Sequence, residues 1–446
     1  MLQVVRGKAA WEAIQAANMF NDPPPEGMEY LLVKLHVRCT YDDKEQHSIS
    51  TSDFKLTGDH LTLYPHANVV EPDPELDADL YKGGETTGWV AFLLPQEEGD
   101  LILIVDEVAN WDEDRFRFIA LEENTSIAVD SSLKAIKPNK AGLSREEPAA
   151  IGETVITEDW EITVLEVLRG EAAWQAIKAA DKYSDPPEEG REYVVAKIAA
   201  RNISIKDIAS EISGNRFRAT GSANVLYEHP WESAPKPPLD ADLFPGGKTE
   251  GWVIAQVAVG ESDIMLRFAP LFDFTGENTR FLALEKGASV TVDASLAKIL
   301  PNDAGRSREE PAALGETAIT EDWEFAILEV IRGEQAWERV QIANRYNDPP
   351  DEGMEYVLVK MRARYIGTED AYKSIREGHC KLTGAENELY EVPSVVDPEP
   401  AFGLDLYPGG ESTGWMTLEA KEGEADLVLV VTPSYSRRQT RYLALE

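Results

Sequence analysis

A ten-residue segment, NDPPPEGMEY at 21–30, returns as SDPPEEGREY at 184–193 and as NDPPDEGMEY at 347–356. The interval is constant: Asp22, Asp185 and Asp348 lie 163 residues apart, as do Trp11, Trp174 and Trp337 and also Trp89, Trp252 and Trp415. A period this long exceeds a solenoid unit and matches one domain plus its connection. The chain therefore reads as three related domains in series, each long enough to bury its own core.

The second copy shows the pattern of one domain. In GETVITEDWEITVLEV (152–167), Trp160, Ile162 and Val164 alternate with polar residues, as a strand requires. RGEAAWQAIKAADKY then predicts a short helix, with Trp174, Ile177, Ala180 and Tyr183 as a stripe packed on the sheet. The prolines of the recurring segment end that helix, and Gly27, Gly190 and Gly353 supply the turn into the next strand. In EYLLVKLHVR, the expected core face is Leu31, Val33, Leu35 and Val37, with Lys34, His36 and Arg38 opposite. Further short strands follow in RFRATG, NVLYEH, EGWVIAQVAV, DIMLRFAP and TRFLALE, with Trp89, Trp252 and Trp415 expected as core anchors. Many short strands and one short helix predict an all-β fold, three tandem antiparallel β-sandwiches each with one inserted helix.

The expected boundaries are a first domain over 1–136, a linker over 137–150, a second domain over 151–299, a linker over 300–313 and a third domain over 314–446. Both linkers are rich in Pro, Gly and charge. Met1 aligns with Val164 and Ile327, so the first strand of domain 1 is truncated relative to the other copies. An unfilled edge is expected there, to be completed by chain upstream or by a neighbouring molecule through strand addition. An export signal would lie in the same upstream part.

The formal net charge is -38. Such a surface repels phosphate backbones and anionic membranes, so neither nucleic acid nor membrane insertion is expected. Its 43% hydrophobic content, with ten Trp, separates it from disordered acidic chains. Cys39 and Cys380 lie in different repeats, and Cys380 stands where Phe54 and Phe217 stand, so it reads as a small buried hydrophobe.

No cofactor, metal or catalytic residue is assigned. The acidic stretch EPDPELDADLY (71–81) offers Asp73, Asp77 and Asp79, repeated as Asp240 and Asp242, and calcium is the cation that such a set of oxygens would take. Only Asp79, Asp242 and Asp405 persist in all three copies, and a solvated loop is the simpler expectation. Asp22, Glu26 and Glu29 are likewise read as punctuation around the turn. The histidines His36, His47, His60, His66, His229 and His379 show no zinc-ligand spacing, and no glycine-flanked nucleophile or phosphate loop appears. No enzyme activity is expected.

The stretches Gly152–Thr154, Gly190–Lys197, Phe217–Gly221, Leu226–Tyr227 and Leu243–Trp252, with their equivalents, resemble a bacterial immunoglobulin-like domain of unknown function. That family is grouped with the immunoprotective extracellular proteins. The resemblance implies immunoglobulin-like sandwiches on a secreted or cell-surface protein and carries over no catalytic residues. The expected function is a noncatalytic display or adhesion array with a protein or glycan partner at the cell envelope. The alternative is a carbohydrate- or substrate-binding accessory module. Self-association through the incomplete edge of domain 1 is a further possibility.

Overall fold

Repeat 2 supplies the plan. The strands Thr154–Ile156, Trp160–Arg169, Arg191–Asn202 and Lys248–Ala258 form one antiparallel sheet in that order. The two long strands pair from Arg191 with Ala258 to Arg201 with Lys248. A second antiparallel sheet contains Phe217–Thr220, Met265–Phe268 and Arg280–Ala283, and its inner residues Phe217, Ala219, Leu266, Phe268 and Leu282 meet Ile162, Ile198 and Ala200 of the first. Repeat 3 keeps this order, with Trp323–Arg332, Met354–Tyr365 and Glu411–Lys421 in its first sheet. Repeat 1 keeps Met28–Arg38 and Glu85–Pro95, preceded by the short strand Gln3–Arg6. The computed structural model describes residues 1–446 except 107–115, 124, 272, 274–275 and 434–435. The fold is all-β, built of antiparallel sheets packed as sandwiches.

The helix changes the burial of the long strand. It runs Glu171–Ala180, with Lys8–Ala17 and Glu334–Ala343 as its counterparts. It starts at Gly170, whose φ of 59° favours glycine, and Gly7 and Gly333 repeat this conformation. Ala173 and Ile177 pack against Tyr193, Val195 and Ile254 on the outer face of the first sheet. The strand is thus buried on both faces along its first half, rather than on one face as its alternation predicts. Tyr30 and Leu32 in repeat 1, and Tyr356 and Leu358 in repeat 3, take the same place under their helices.

The apolar stripe of the helix divides. Ala173 and Ile177 are buried and Trp174 is half-buried, its ring stacked on Tyr193 at 6.0 Å between centroids. Tyr183, expected on the packed face, points to solvent at 80% exposure, because the helix ends at Ala180 before the prolines. Trp252 and Trp89 are half-buried and Trp415 is buried, all beneath the helix rather than between the sheets.

The recurring turn has a defined hydrogen-bond pattern. The hydroxyls of Tyr30, Tyr193 and Tyr356 donate to the carbonyls of Asp22, Asp185 and Asp348 at 3.1, 3.2 and 3.0 Å. The stretches 137–150 and 300–313, expected as linkers, lie against the following sandwich. Ala149 bridges in parallel to Leu282, and Ala312 to Leu443.

Replacing Ile177 by Ala removes the deepest contact of the helix in repeat 2. The expected cost is about 2–5 kcal/mol, read as a downward shift of one transition in a calorimetric scan. A helix that merely lay on the surface would leave the scan unchanged.

Candidate functional site

Of the acids expected in solvated loops, Asp77, Asp79, Asp240 and Asp242 lie on strands instead, whereas Asp73 precedes its strand. Asp77–Leu80 pairs with His47–Ser50, Asp240–Leu243 with Ser210–Ser213 and Gly403–Leu406 with Lys373–Arg376. In the second and third of these strands the persistent acid, Asp242 or Asp405, sits at the contact between repeats. Asp405 accepts from Arg218 Nη1 at 2.7 Å, from Ser374 Oγ at 2.5 Å and from Arg376 Nη2 at 3.0 Å. Burial opposes its charge, but the Ser374 and Arg218 hydrogen bonds and the two guanidinium charges hold its carboxyl below the ordinary range. Burial, followed by the charge of Glu211, raises the Asp242 carboxyl, and the charge of Lys55 opposes this without overcoming it.

These acids anchor a seam of backbone pairing. Val225 and Leu226 of repeat 2 pair with Leu406 and Asp405 of repeat 3. Arg145 is fully buried there: its Nε donates to Asp370 Oδ1 at 2.7 Å, and its guanidinium lies 3.8 Å from the Tyr407 ring centroid. Leu226, Met265, Phe281 and Tyr407 form the apolar part of the seam.

A second feature is a groove in repeat 1. Among the described residues Gln3–Arg6 pairs only with Leu31–Lys34, and Leu35 and Val37 face an open cavity of about 710 Å³ that also borders Met1, Phe54 and Ile119. Trp160 and Ile162 pack at the corresponding place in repeat 2, and Trp323 and Phe325 in repeat 3.

Buried carboxylates recur in all three repeats. Glu98, Glu261 and Glu424 accept from the hydroxyls of Tyr64, Tyr227 and Tyr390 and also from a backbone N–H of the adjoining turn. Burial, then the carboxylate partner, raises all three phenols. The 163-residue spacing of these Tyr and Glu residues is visible in the sequence, although their pairing is not. His60 Nδ1 lies 2.6 Å from Glu98 Oε2, and Asp59, His60 and Glu98 have ligand atoms within 4.8 Å of one another. Ser222 and Ala223 replace Asp59 and His60 in repeat 2, and Glu98 is already engaged by Tyr64. The cluster therefore reads as a variation on the turn anchor.

The other sequence candidates do not converge. Glu29 pairs with Arg6, as Glu192 does with Arg169 at 2.7 Å and Glu355 with Arg332 at 2.6 Å. Cys380 is buried and Cys39 half-buried, both as free thiols. His36 contacts Thr87, His47 contacts Asp43 and His229 contacts the Pro230 carbonyl. One acidic pair not foreseen from sequence lies in repeat 3, where Glu377 hydrogen-bonds Asp397. Burial first, then the Asp397 hydrogen bond and charge, push Glu377 up to about 7.

Residues 9–115 match DUF4352, a domain of unknown function. That span lies wholly within repeat 1. Among solved structures, the chain resembles a lipoprotein candidate of Bacillus subtilis, YcdA, at 11% identity over 29% of this chain and 38% of YcdA, with a TM-score of 0.24. It thus spans well under half of YcdA. The YjhA protein of Bacillus subtilis matches at 13% identity over 30% of this chain and 98% of its own, with a TM-score of 0.21. An uncharacterized β-sandwich protein of Clostridium difficile matches at 10% identity over 33% of this chain and 97% of its own, also with a TM-score of 0.21. No curated protein matches the sequence.

Two outcomes follow. Replacing Arg218 by Met strips the buried Asp405 of one cationic partner at an expected cost of about 2–5 kcal/mol. Faster amide exchange at Val225 and Leu226 should report the opened seam, and unchanged exchange would remove this assignment. Glu377, with its folded pKa raised, binds more protons folded than unfolded between its ordinary value of 4.5 and about 7. Its contribution to stability is present below that window and lost as pH rises through it. Glu377→Gln should flatten stability against pH over this range, whereas an unchanged slope would assign the dependence elsewhere.

Proposed function

We propose that this chain is a noncatalytic tandem array of the cell envelope, holding one contact surface per repeat toward a protein partner. The reading follows the resemblance to the immunoprotective extracellular proteins and their secreted or surface-anchored sandwiches. The observation that supports it is what persists through three copies. The Tyr–Glu anchors and Arg–Glu pairs recur in every repeat, whereas Asp59–His60–Glu98 and Glu377–Asp397 each occur once. Chemistry needs a convergent constellation, and the persistent groups serve the scaffold.

An exposed aromatic residue also recurs. Phe20, Tyr183 and Tyr346 stand at the helix exit of their repeats and are 84%, 80% and 76% exposed. Exposed rings at equal places on a linked chain can engage a partner multivalently. A glycan partner is the alternative. A protein fits better, because Lys182 lies 4.8 Å from the Tyr183 centroid and Arg345 lies 4.6 Å from that of Tyr346. A cation over a ring occupies a face on which a sugar would stack. Among the described residues, no helix is long and apolar enough to cross a membrane.

The test is binding to isolated bacterial cell envelopes before and after digestion of their proteins. The triple variant Phe20→Ala, Tyr183→Ala, Tyr346→Ala should lose about tenfold or more in apparent affinity, and each single variant far less. Binding that survives the triple variant overturns the role of the rings. Binding that survives protein digestion but not glycan digestion selects the glycan alternative. Turnover of any envelope component by the purified chain overturns the noncatalytic reading.

A further inference from the structure

The contacts between repeats 1 and 2 and between repeats 2 and 3 are one contact used twice. The bridge between Thr62 and Leu243 becomes, 163 residues later, the pairing of Val225 with Leu406. The Phe244 N–H donates to the Leu61 carbonyl at 2.7 Å, and the Tyr407 N–H to the Asn224 carbonyl at 2.8 Å. Lys55, whose Nζ donates to Asp106 of its own repeat at 2.9 Å, also places its charge near Asp242, at the position from which Arg218 pairs directly with Asp405 in the second contact. The two surfaces that meet differ, so the contact is heterologous and each repeat carries both halves.

Among the described residues, one copy of each half has no partner. Leu389 occupies the position of Leu226, which is fully buried, yet it is 52% exposed. Tyr81 occupies the position of Phe244 and Tyr407, which are 9% and 1% exposed, yet it is 61% exposed. The strand Leu389–Tyr390 lies at the edge of its sheet, and Asp77–Leu80 has His47–Ser50 on one side only among the described residues.

Both halves nevertheless keep the shape they have when paired. Asn387 has φ 63°, as Leu61 and Asn224 have φ 59°, and this left-handed turn presents the carbonyl that the partner binds. Gly84 aligns with Gly247 and Gly410, where an added Cβ would lie 2.8 Å from the Leu61 carbonyl oxygen and 2.4 Å from that of Asn224. The atoms nearest an added Cβ at Gly84 belong to Leu80 and Tyr81 of its own repeat, so the place taken by a neighbour's carbonyl at Gly247 and Gly410 is open among the described residues. Asp79 accepts from Ser48 Oγ at 2.6 Å as Asp405 does from Ser374. Lys381 stands at the position of Lys55 and Arg218.

The geometry points to a second copy of this chain as the occupant. The Leu389–Tyr390 edge of one molecule pairs with Asp77–Leu80 of the next, with Lys381 opposite Asp79 and with Leu389 and Tyr81 becoming buried. Because the contact is heterologous, growth continues past the dimer. Three effects keep it weak. Lys44 replaces Asp370 opposite Arg308, the counterpart of Arg145, so that ion pair is not reproduced. The net charge of -38 drives copies apart. The internal contacts also benefit from linkage, with effective concentrations on the order of millimolar that free molecules lack. Association therefore strengthens with protein concentration and with salt that screens the repulsion.

Sedimentation equilibrium of the 446-residue chain, from about 10 μM to about 1 mM at low and high NaCl, tests this. The weight-average mass should pass that of a dimer at the highest concentration and rise further with salt. Tyr81→Lys and Leu389→Lys each remove one exposed half without touching a core, and each should stay monomeric with an unchanged melting transition. Mixed together, the two variants retain one good half apiece and should form dimers that do not grow. A wild-type chain that stays monomeric throughout overturns the proposal. So does growth undiminished in either variant, which would place self-association elsewhere, such as at the open groove of repeat 1.

Discussion

Burial of the long central strand on both faces is the constraint on which the rest of each repeat depends. One face closes the sandwich against Phe217, Leu266 and Phe268, while the other lies beneath the helix that carries Ala173 and Ile177. A strand covered on both sides cannot shift register without moving apolar groups out of both layers. That fixity holds the turns after Gly58, Gly221 and Gly384 at one height, where the buried Glu98, Glu261 and Glu424 tie them down. The docking carbonyls of Leu61 and Asn224 sit on those turns.

Backbone pairing joins repeat 1 to repeat 2 at Thr62 and Leu243, and repeat 2 to repeat 3 at Val225–Leu226 and Asp405–Leu406. The stretches 137–150 and 300–313 add a bridge to the following sandwich, and Arg145 from the first of them is buried in the seam. Electrostatics grade the two seams. The second has Arg145, Arg218 and Arg376 gathered around Asp370 and Asp405, whereas the first has Lys55 near Asp242. A buried carboxylate hydrogen-bonded by two guanidinium groups is held far more firmly than one that only feels the charge of an ammonium paired elsewhere.

Much of one repeat was legible in the chain. The strand at Arg191–Asn202, the helix before the prolines and the turn at Gly190 follow from alternation, helical spacing and proline geometry. The short strands at Ser210–Ser213 and Asp240–Leu243 were not legible, because acids and serines at a sheet edge look like a loop. For the same reason Asp79, Asp242 and Asp405 stood out as persistent while their place on a docking edge stayed hidden. Tyr183 shows the opposite error: helical spacing continued past Ala180 on paper, but the backbone had already turned away.

The sequence by itself determined the repeat, its period and the all-β character, since these depend on local pattern and on comparing one copy with the next. Only the tertiary structure decided which residues meet across repeats: Arg218 with Asp405, Arg145 with Asp370, and the pairing of Val225 with Leu406. Those partners are separated by more than a whole repeat in sequence, and no local propensity encodes such a distance. They are brought together by two rigid surfaces whose complementarity exists only after each sandwich has closed.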